Sequence, residues 1–463
     1  MLFSSITFLF YFFPLFLGLY YVLPWKNGVL LLASLIFYAW GEPRFVLLLL
    51  CSALINYGIG FLLARHQRLD EEPKSHSGRW ILGVGISANL GLLVYFKYLG
   101  FFASSLNQLL HAHFPQPEIV LPLGISFFTF QGISYLIDVY RGTIAAQSNF
   151  WNFFMYKAMF PQLIAGPIVR YQQIAHEIKH RTLDNARLWH GLHQFILGLA
   201  QKVLIANTVA AAADSVFGTN PQELTAPAAW LGIICYSLQI LYDFAGYSNM
   251  AIGIGHMIGF TYPPNFNRPY SALSITDFWR RWHISLSTWF RDYVYIPLGG
   301  NRVSRERVYF NLALVFVLCG LWHGAAWTFI IWGAWHGVLL VLERAGLGRQ
   351  LRRWPDIIAQ GYTLLCVMIG WVFFRAHDLP TALQFLQAML GLQQVDPLLH
   401  PWQMDVHGAQ WSAIIIGGTL ALWRNPPGLR HPALKTIASA LAMVLCSASL
   451  AAGTYNPFIY FHF

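Results

Sequence analysis

The sequence predicts an all-α integral membrane protein with about eleven or twelve transmembrane helices, and three observations carry that prediction. Of its 463 residues, 56% are hydrophobic and only 10% are charged, whereas soluble domains carry about 25% charge. Apolar segments of about 20 residues, long enough as helix to cross a ~30 Å hydrocarbon core, recur along the whole chain. The segments are continuous rather than short and alternating, so they read as helices and not as barrel strands.

The first segment, FSSITFLFYFFPLFLGLYYVL, has no basic n-region and no small-residue cleavage site, and it reads as a retained helix. Further spans are expected near 28–41, 44–64, 80–102, 119–140, 190–213, 227–250, 356–374, 410–423 and 436–453, with a helical hairpin over 309–342. Residues 151–168, WNFFMYKAMFPQLIAGPI, are apolar but broken by Pro161, Gly166 and Pro167. They are expected to re-enter the membrane without crossing it, which is tolerated only where protein covers the backbone. With no linker, low-complexity tract or internal repeat, 1–463 reads as a single membrane domain.

A net charge of +10 raises the question of nucleic acid, but the basic residues are spread over short loops between apolar segments. Loops at 65–79, 170–187, 268–307 and 344–353, together with Arg424, Arg430 and Lys435, alternate with 103–118, 214–226 and 376–423, which hold no Lys or Arg. Cytoplasmic placement of the basic loops closes without contradiction and puts both termini outside. Five cysteines (Cys51, Cys235, Cys319, Cys366 and Cys446) lie in apolar runs without CxxC spacing. They predict neither disulfides nor a cysteine metal site.

Within the 309–342 hairpin stands LWHGAAW, with His323 between two tryptophans. From Arg307 the chain has about 15 residues, or about 23 Å of helix rise, before it reaches His323. That places the imidazole beyond the midplane, near the hairpin tip. Gly320, Gly324, Ala325 and Ala326 flank it, and small residues let helices approach closely. An interhelical hydrogen bond would explain one such histidine, yet an ionisable group in lipid is a functional hypothesis by default. Neutral imidazole is also suited to taking a proton near pH 7. A second pair in WGAWHG, His336, reads equally as a buried hydrogen-bonding group.

Ser274-x-x-Asp277 signals a helix start, and one amphipathic helix is expected over 274–292. On it Thr276, Arg280, His283, Ser287 and Arg291 fall in a single polar stripe, with Phe278, Trp279, Trp282, Leu286, Trp289 and Phe290 around the other sides. An interfacial helix with snorkelling arginines is the plain reading. The sharper one is that Arg280, His283, Ser287 and Arg291 face a cytoplasmic pocket and bind an anionic donor, since guanidinium suits phosphate.

FWRRWHISLSTWFRDYVYIPLGGNR followed by NLALVFVLCGLWHGAAWTFIIWGAWHG strongly resembles the membrane-bound O-acyltransferases, and within them the bacterial alginate O-acetyltransferase-like branch. LPLGISFFTFQGISYLIDVYRG, FPQLIAGPIVRY, LYDFAGYSNMAIGIG, the opening MLFSSITFLFYFFPLFLGLYYVLP and the terminal PFIYFHF extend the resemblance over essentially the whole chain. It implies a multi-helix fold in which cytoplasmic and external funnels meet at a tunnel, in a bacterial inner membrane. It also implies that His323 matches the family's essential histidine and His283 its second motif histidine. Ala245 and Asn249 stand where relatives often show Ser and Asp, so that loop receives no role beyond Asp243 as a substrate-side group.

The reaction so implied moves an acyl group from a cytoplasmic thioester, acetyl-CoA or an acyl carrier, to a hydroxyl acceptor. No tightly bound cofactor or metal is expected. His323 would take the acceptor's proton, and the Trp322 indole or backbone N–H groups near Gly324 would face the oxyanion. An exported polysaccharide is the expected destination, with a periplasmic SGNH-type acetyltransferase as partner and membrane lipid as surroundings. D-alanyl transfer from a carrier protein and acetylation of peptidoglycan are alternatives within the same chemistry. A proton-coupled transporter is the alternative of a different class, although the paired broken repeats of many transporters are not found.

Overall fold

A computed structural model describes residues 1–69, 76–115, 117–164, 166–393, 395, 406–425 and 431–453. The terminal PFIYFHF, Lys74, Ala165 and Arg430 lie outside the described residues. Within them every regular element is helical. Seven helical stretches are long and apolar enough to cross a membrane: Pro43–Gln67, His76–Leu110, Asn185–Gly218, Ala226–Met257, Trp327–Leu351, Asp356–Arg375 and Pro432–Ala451. Thr7–Val22 and Gly408–Leu422 are apolar and shorter. The chain divides into two compact units, Met1–Phe195 with Ala251–Pro263, and Ile196–Met250 with Pro264–Phe463.

The first unit contains α1 (Phe13–Val22), α2 (Lys26–Gly41), α3 (Val46–Leu69), α4 (His76–Leu93), α5 (Ile125–Tyr140) and α6 (Phe150–Ala158). An amide pair ties α3 to α4: Asn56 Nδ2 donates to Asn89 Oδ1 at 3.0 Å and Asn89 Nδ2 returns the bond at 2.9 Å. Both are buried, and in an apolar interior only such reciprocal pairing offsets desolvation. The segment expected to re-enter breaks at Met159 between α6 and the single turn α7 (Phe160–Leu163). Protein covers its backbone as the physics requires: the freed Phe160 N–H donates to Ser34 Oγ at 3.1 Å, and Gln162 caps the Tyr156 carbonyl.

The second unit holds the C-terminal end of α8 (Asn185–Ala200), most of α9 (Ala226–Met257), α10 (Ile275–Arg281), α11 (Ile284–Phe290), α12 (Arg305–His323), α13 (Trp327–Leu342), α14 (Asp356–Arg375) and α15 (Gly408–Leu422). The predicted hairpin is α12–α13, turning at Gly324–Ala326, and His323 is the last residue of its first arm. Its arms cross backbone on backbone. A Cβ at Gly320 would run into the Phe329 carbonyl oxygen, and one at Gly333 into the Phe316 carbonyl oxygen. A similar contact brings Gly198 to the Gly246 carbonyl. One turn from each, and between the same two helices, Lys202 and Asp243 form a buried ion pair.

The stretch 274–292 departs from the expected single helix. Ser274 does cap α10, accepting from the Asp277 N–H at 3.0 Å. The helix then stops at Trp282 and His283, where His283 adopts φ 43° and ψ 54°, and α11 begins afresh. A left-handed residue turns the chain, so His283 no longer shares a face with the polar positions on either side of it. Beyond α11 a π-helical turn, Arg291–Tyr295, shifts the register once more.

Gly333→Ala should cost about 1–3 kcal/mol by overpacking a backbone contact, read as a lowered midpoint in thermal melts of detergent-purified protein. Gly361→Ala, in α14 with nothing within 4 Å of its Cβ, should leave the midpoint unchanged or raise it slightly.

Candidate active site

His323 sits in an aromatic box built by three elements. Its ring lies 4.9 Å from Trp322, 5.0 Å from Trp332 of α13 and 5.2 Å from Phe374 of α14, all three near edge-on. The glycine crossing of the hairpin sets this arrangement, because it brings α13 close enough for Trp332 to reach the end of α12. His283 approaches from the break between α10 and α11, with ring centroids 6.4 Å from His323 and 5.9 Å from Trp322. His283 is fully buried and His323 is 6% exposed. The two histidines and Trp322 singled out from sequence are therefore brought together.

The left-handed turn at His283 is braced by Asn265, which the sequence reading missed. The Asn265 backbone oxygen accepts from the Ile284 N–H at 2.9 Å, and its side-chain oxygen from the Ser285 N–H at 3.2 Å and Ser285 Oγ at 2.8 Å. His283 Nδ1 lies 3.1 Å from that same oxygen. Phe244 of α9 packs on the imidazole at 4.7 Å. Burial pushes the His283 imidazole from its ordinary 6.5 down to about 3, which leaves it neutral at physiological pH.

The rest of the expected polar stripe does not accompany His283. Arg280, Ser287 and Arg291 line a neighbouring cavity of about 480 Å³ with Thr276, Trp279 and Tyr295, and Leu312, Val315, Phe316 and Cys319 of α12 form its far wall. Arg291 is not an unpaired cation: its guanidinium binds Asp292 with Nε at 2.7 Å and Nη2 at 3.2 Å. Thr276 is held by Glu343, whose carboxylate accepts from the Ile275 and Thr276 N–H groups at 2.7 and 2.9 Å and from Thr276 Oγ1 at 2.6 Å. An acid at a helix N-terminus satisfies orphan donors and the helix dipole together. Arg280 and Thr276 also line a second cavity of about 650 Å³ with Arg344, Arg352, Asn301 and Trp354.

Two further expectations resolve differently. Asp243 is 2% exposed and bound to Lys202, so its charge is already neutralised inside the protein. The signal for this was present: a lone lysine and a lone aspartate in separate apolar runs call for each other. His336 accepts from the Trp279 indole N–H at 3.3 Å, the packing role that was one of its two readings.

Residues 143–373 match the family model described as MBOAT, membrane-bound O-acyltransferase family. The chain is 46% identical to a probable alginate O-acetylase of Pseudomonas aeruginosa over 84% of its own length and 75% of the relative's. It is 41% identical to a probable alginate O-acetylase of Azotobacter vinelandii over 100% of both chains. It is 40% identical to the peptidoglycan O-acetyltransferase of Helicobacter pylori, over 85% of this chain and 81% of that one. Fold and motifs define a multi-pass membrane acyltransferase. This chain belongs to the membrane-bound O-acyltransferase family, and it is an O-acyltransferase.

Two stability predictions follow from the buried groups. Lys202→Ala should destabilise by about 3–5 kcal/mol, because it strands the Asp243 carboxylate; a double change to Lys202→Met with Asp243→Leu should recover much of the melting temperature. For His283 the unfolded chain takes up a proton below about pH 6.5 that the folded chain refuses until about pH 3. The stability present above pH 6.5 is therefore lost as pH falls. Between pH 7 and pH 5 the wild type should lose more melting temperature than His283→Gln.

Proposed function

We propose that this O-acyltransferase takes an acetyl group from a cytoplasmic thioester and delivers it to a hydroxyl acceptor across a bacterial inner membrane, with both termini periplasmic. The reading rests above all on one face of α12. Leu312, Val315, Phe316 and Cys319 line the cavity, and the next position at helical spacing on that face is His323. From Leu312 to His323 the helix rises roughly 16 Å, comparable to an extended pantetheine arm. A thioester that enters beside Arg280 thus has a path whose inner end is one helical turn from the imidazole.

In this reading neutral His323 removes the acceptor hydroxyl proton as the oxygen attacks the thioester carbonyl. The tetrahedral adduct collapses with cleavage of the C–S bond, and the imidazolium returns the proton to the leaving thiolate. Ester and free thiol result, and His323 is regenerated. Such base catalysis contributes about 10²–10⁴-fold. The Trp322 indole, beside both imidazoles, is the nearest side-chain candidate for an oxyanion donor.

The cavities, where Arg280, Arg344 and Arg352 stand with Trp354 beside Asp277, Glu343 and Asp356, favour a small nucleotide thioester, acetyl-CoA, over a carrier protein that needs a broad docking face. Relatives named as alginate O-acetylases favour an exported polysaccharide such as alginate as destination, reached with a periplasmic SGNH-type acetyltransferase as partner. The relative that acetylates peptidoglycan supports a second acceptor within the same chemistry.

His323→Ala should abolish acetyl transfer from labelled acetyl-CoA in membrane vesicles while the protein stays folded; wild-type transfer by that variant would sink the assignment. Arg280→Ala should raise KM for acetyl-CoA roughly 10–100-fold, the worth of one charged hydrogen bond, with kcat nearly unchanged. Cys319→Trp, which fills the inner end of the cavity, should block transfer without touching either imidazole.

A further inference from the structure

We propose that Asn265 is a positioning residue for acyl transfer: its carboxamide oxygen locks His283 as the neutral Nδ1–H tautomer, leaving the Nε2 lone pair as the ring's basic position. The inference rests on the acyltransferase reading above for its consequence, and on hydrogen-bond geometry for its substance.

The geometry assigns the tautomer by a chain of forced choices. A backbone N–H can only donate, and the Ser285 N–H points at the Asn265 side chain at 3.2 Å. The atom it meets is therefore the carboxamide oxygen and not the NH₂ group, which fixes the orientation of the amide. His283 Nδ1 stands 3.1 Å from that same oxygen. Two acceptors would repel there, so Nδ1 carries the proton. A neutral imidazole with Nδ1–H has its lone pair on Nε2.

The residue type matters as much as the contact. An aspartate would accept the same three bonds and cap α11 at least as well, since a carboxylate favours a helix N-terminus. It would also place a charge against the imidazole and hold it protonated. Asparagine supplies the acceptor without the charge, which keeps His283 neutral and basic at Nε2. Around that ring stand Phe244 from α9 and Trp322 and His323 from α12; of these, His323 is the one with an ionisable side chain. A merely structural cap would not need this distinction. Asn265 Nδ2 is buried and makes no hydrogen bond, a cost that a cap alone does not explain.

The test uses full-length protein in lipid vesicles with acetyl-CoA as probe and thiol release as readout, together with ¹⁵N NMR of histidine-labelled protein. The wild type should show a His283 signal, assigned by its loss in His283→Gln, with the shifts of an Nδ1–H tautomer. Asn265→Asp should fold and melt like the wild type, yet move the acid limb of its kcat/KM profile upward by at least one pH unit. Its His283 signal should become that of imidazolium at neutral pH. Asn265→Leu should lose kcat by roughly 10²-fold as His283 loses its fixed tautomer beside the base His323, with KM for acetyl-CoA retained.

An Nε2–H signal in the wild type, or an Asn265→Asp profile that superimposes on the wild type, would overturn the proposal. If Asn265→Leu does not fold, the Asn265→Asp profile and the wild-type tautomer decide by themselves. Failure of the acyltransferase reading is distinguishable, because then wild-type protein releases no thiol while the tautomer is still read directly.

Discussion

The close crossing of two helices without side chains between them governs the histidine-bearing unit of this molecule. At Gly320 and Gly333 the arms of the α12–α13 hairpin meet at their backbones, and any Cβ would strike a carbonyl oxygen. In a lipid-facing protein there is little hydrophobic drive for helices to associate, so close packing of small residues supplies the attraction. The consequence is local and specific. Trp332 comes within reach of the end of α12, Phe374 closes the other side, and His323 is held in an aromatic box instead of being free to leave the apolar layer.

A second constraint is that polar groups in such an interior must be paired. Asn56 and Asn89 satisfy each other, Lys202 and Asp243 neutralise each other, and Glu343 is consumed in capping α10. Each of these could be mistaken for a site from composition alone. The two histidines are enclosed by aromatic rings, and Asn265 braces His283. A neutral imidazole fits such a setting, since burial suppresses its charged form.

Much of this was legible beforehand. The hairpin, its turn around Gly324, the position of His323 at the tip and the broken segment at 150–163 all follow from hydropathy, small residues and proline placement. The approach of His283 to His323 was not legible, because no periodicity links positions 40 residues apart and helical spacing set His283 on the donor-side stripe. The polar stripe lost His283 for a definite reason, while Thr276, Arg280, Ser287 and Arg291 still line one cavity. Helical spacing assumes one continuous helix, and a left-handed residue at His283 ended it, a conformation that non-glycine sequences rarely announce.

The sequence by itself determined that the chain is helical and membrane-bound, where its apolar segments lie and which imidazole is costly to bury, because these depend on local composition and periodicity. Tertiary structure decided which polar groups neutralise each other, that Arg280 and Arg291 face a different space from His283, and that Asn265 grips the imidazole. Those outcomes depend on contacts between helices distant in sequence, and on one backbone turn whose strain is repaid by hydrogen bonds from a loop that carries no helical signal.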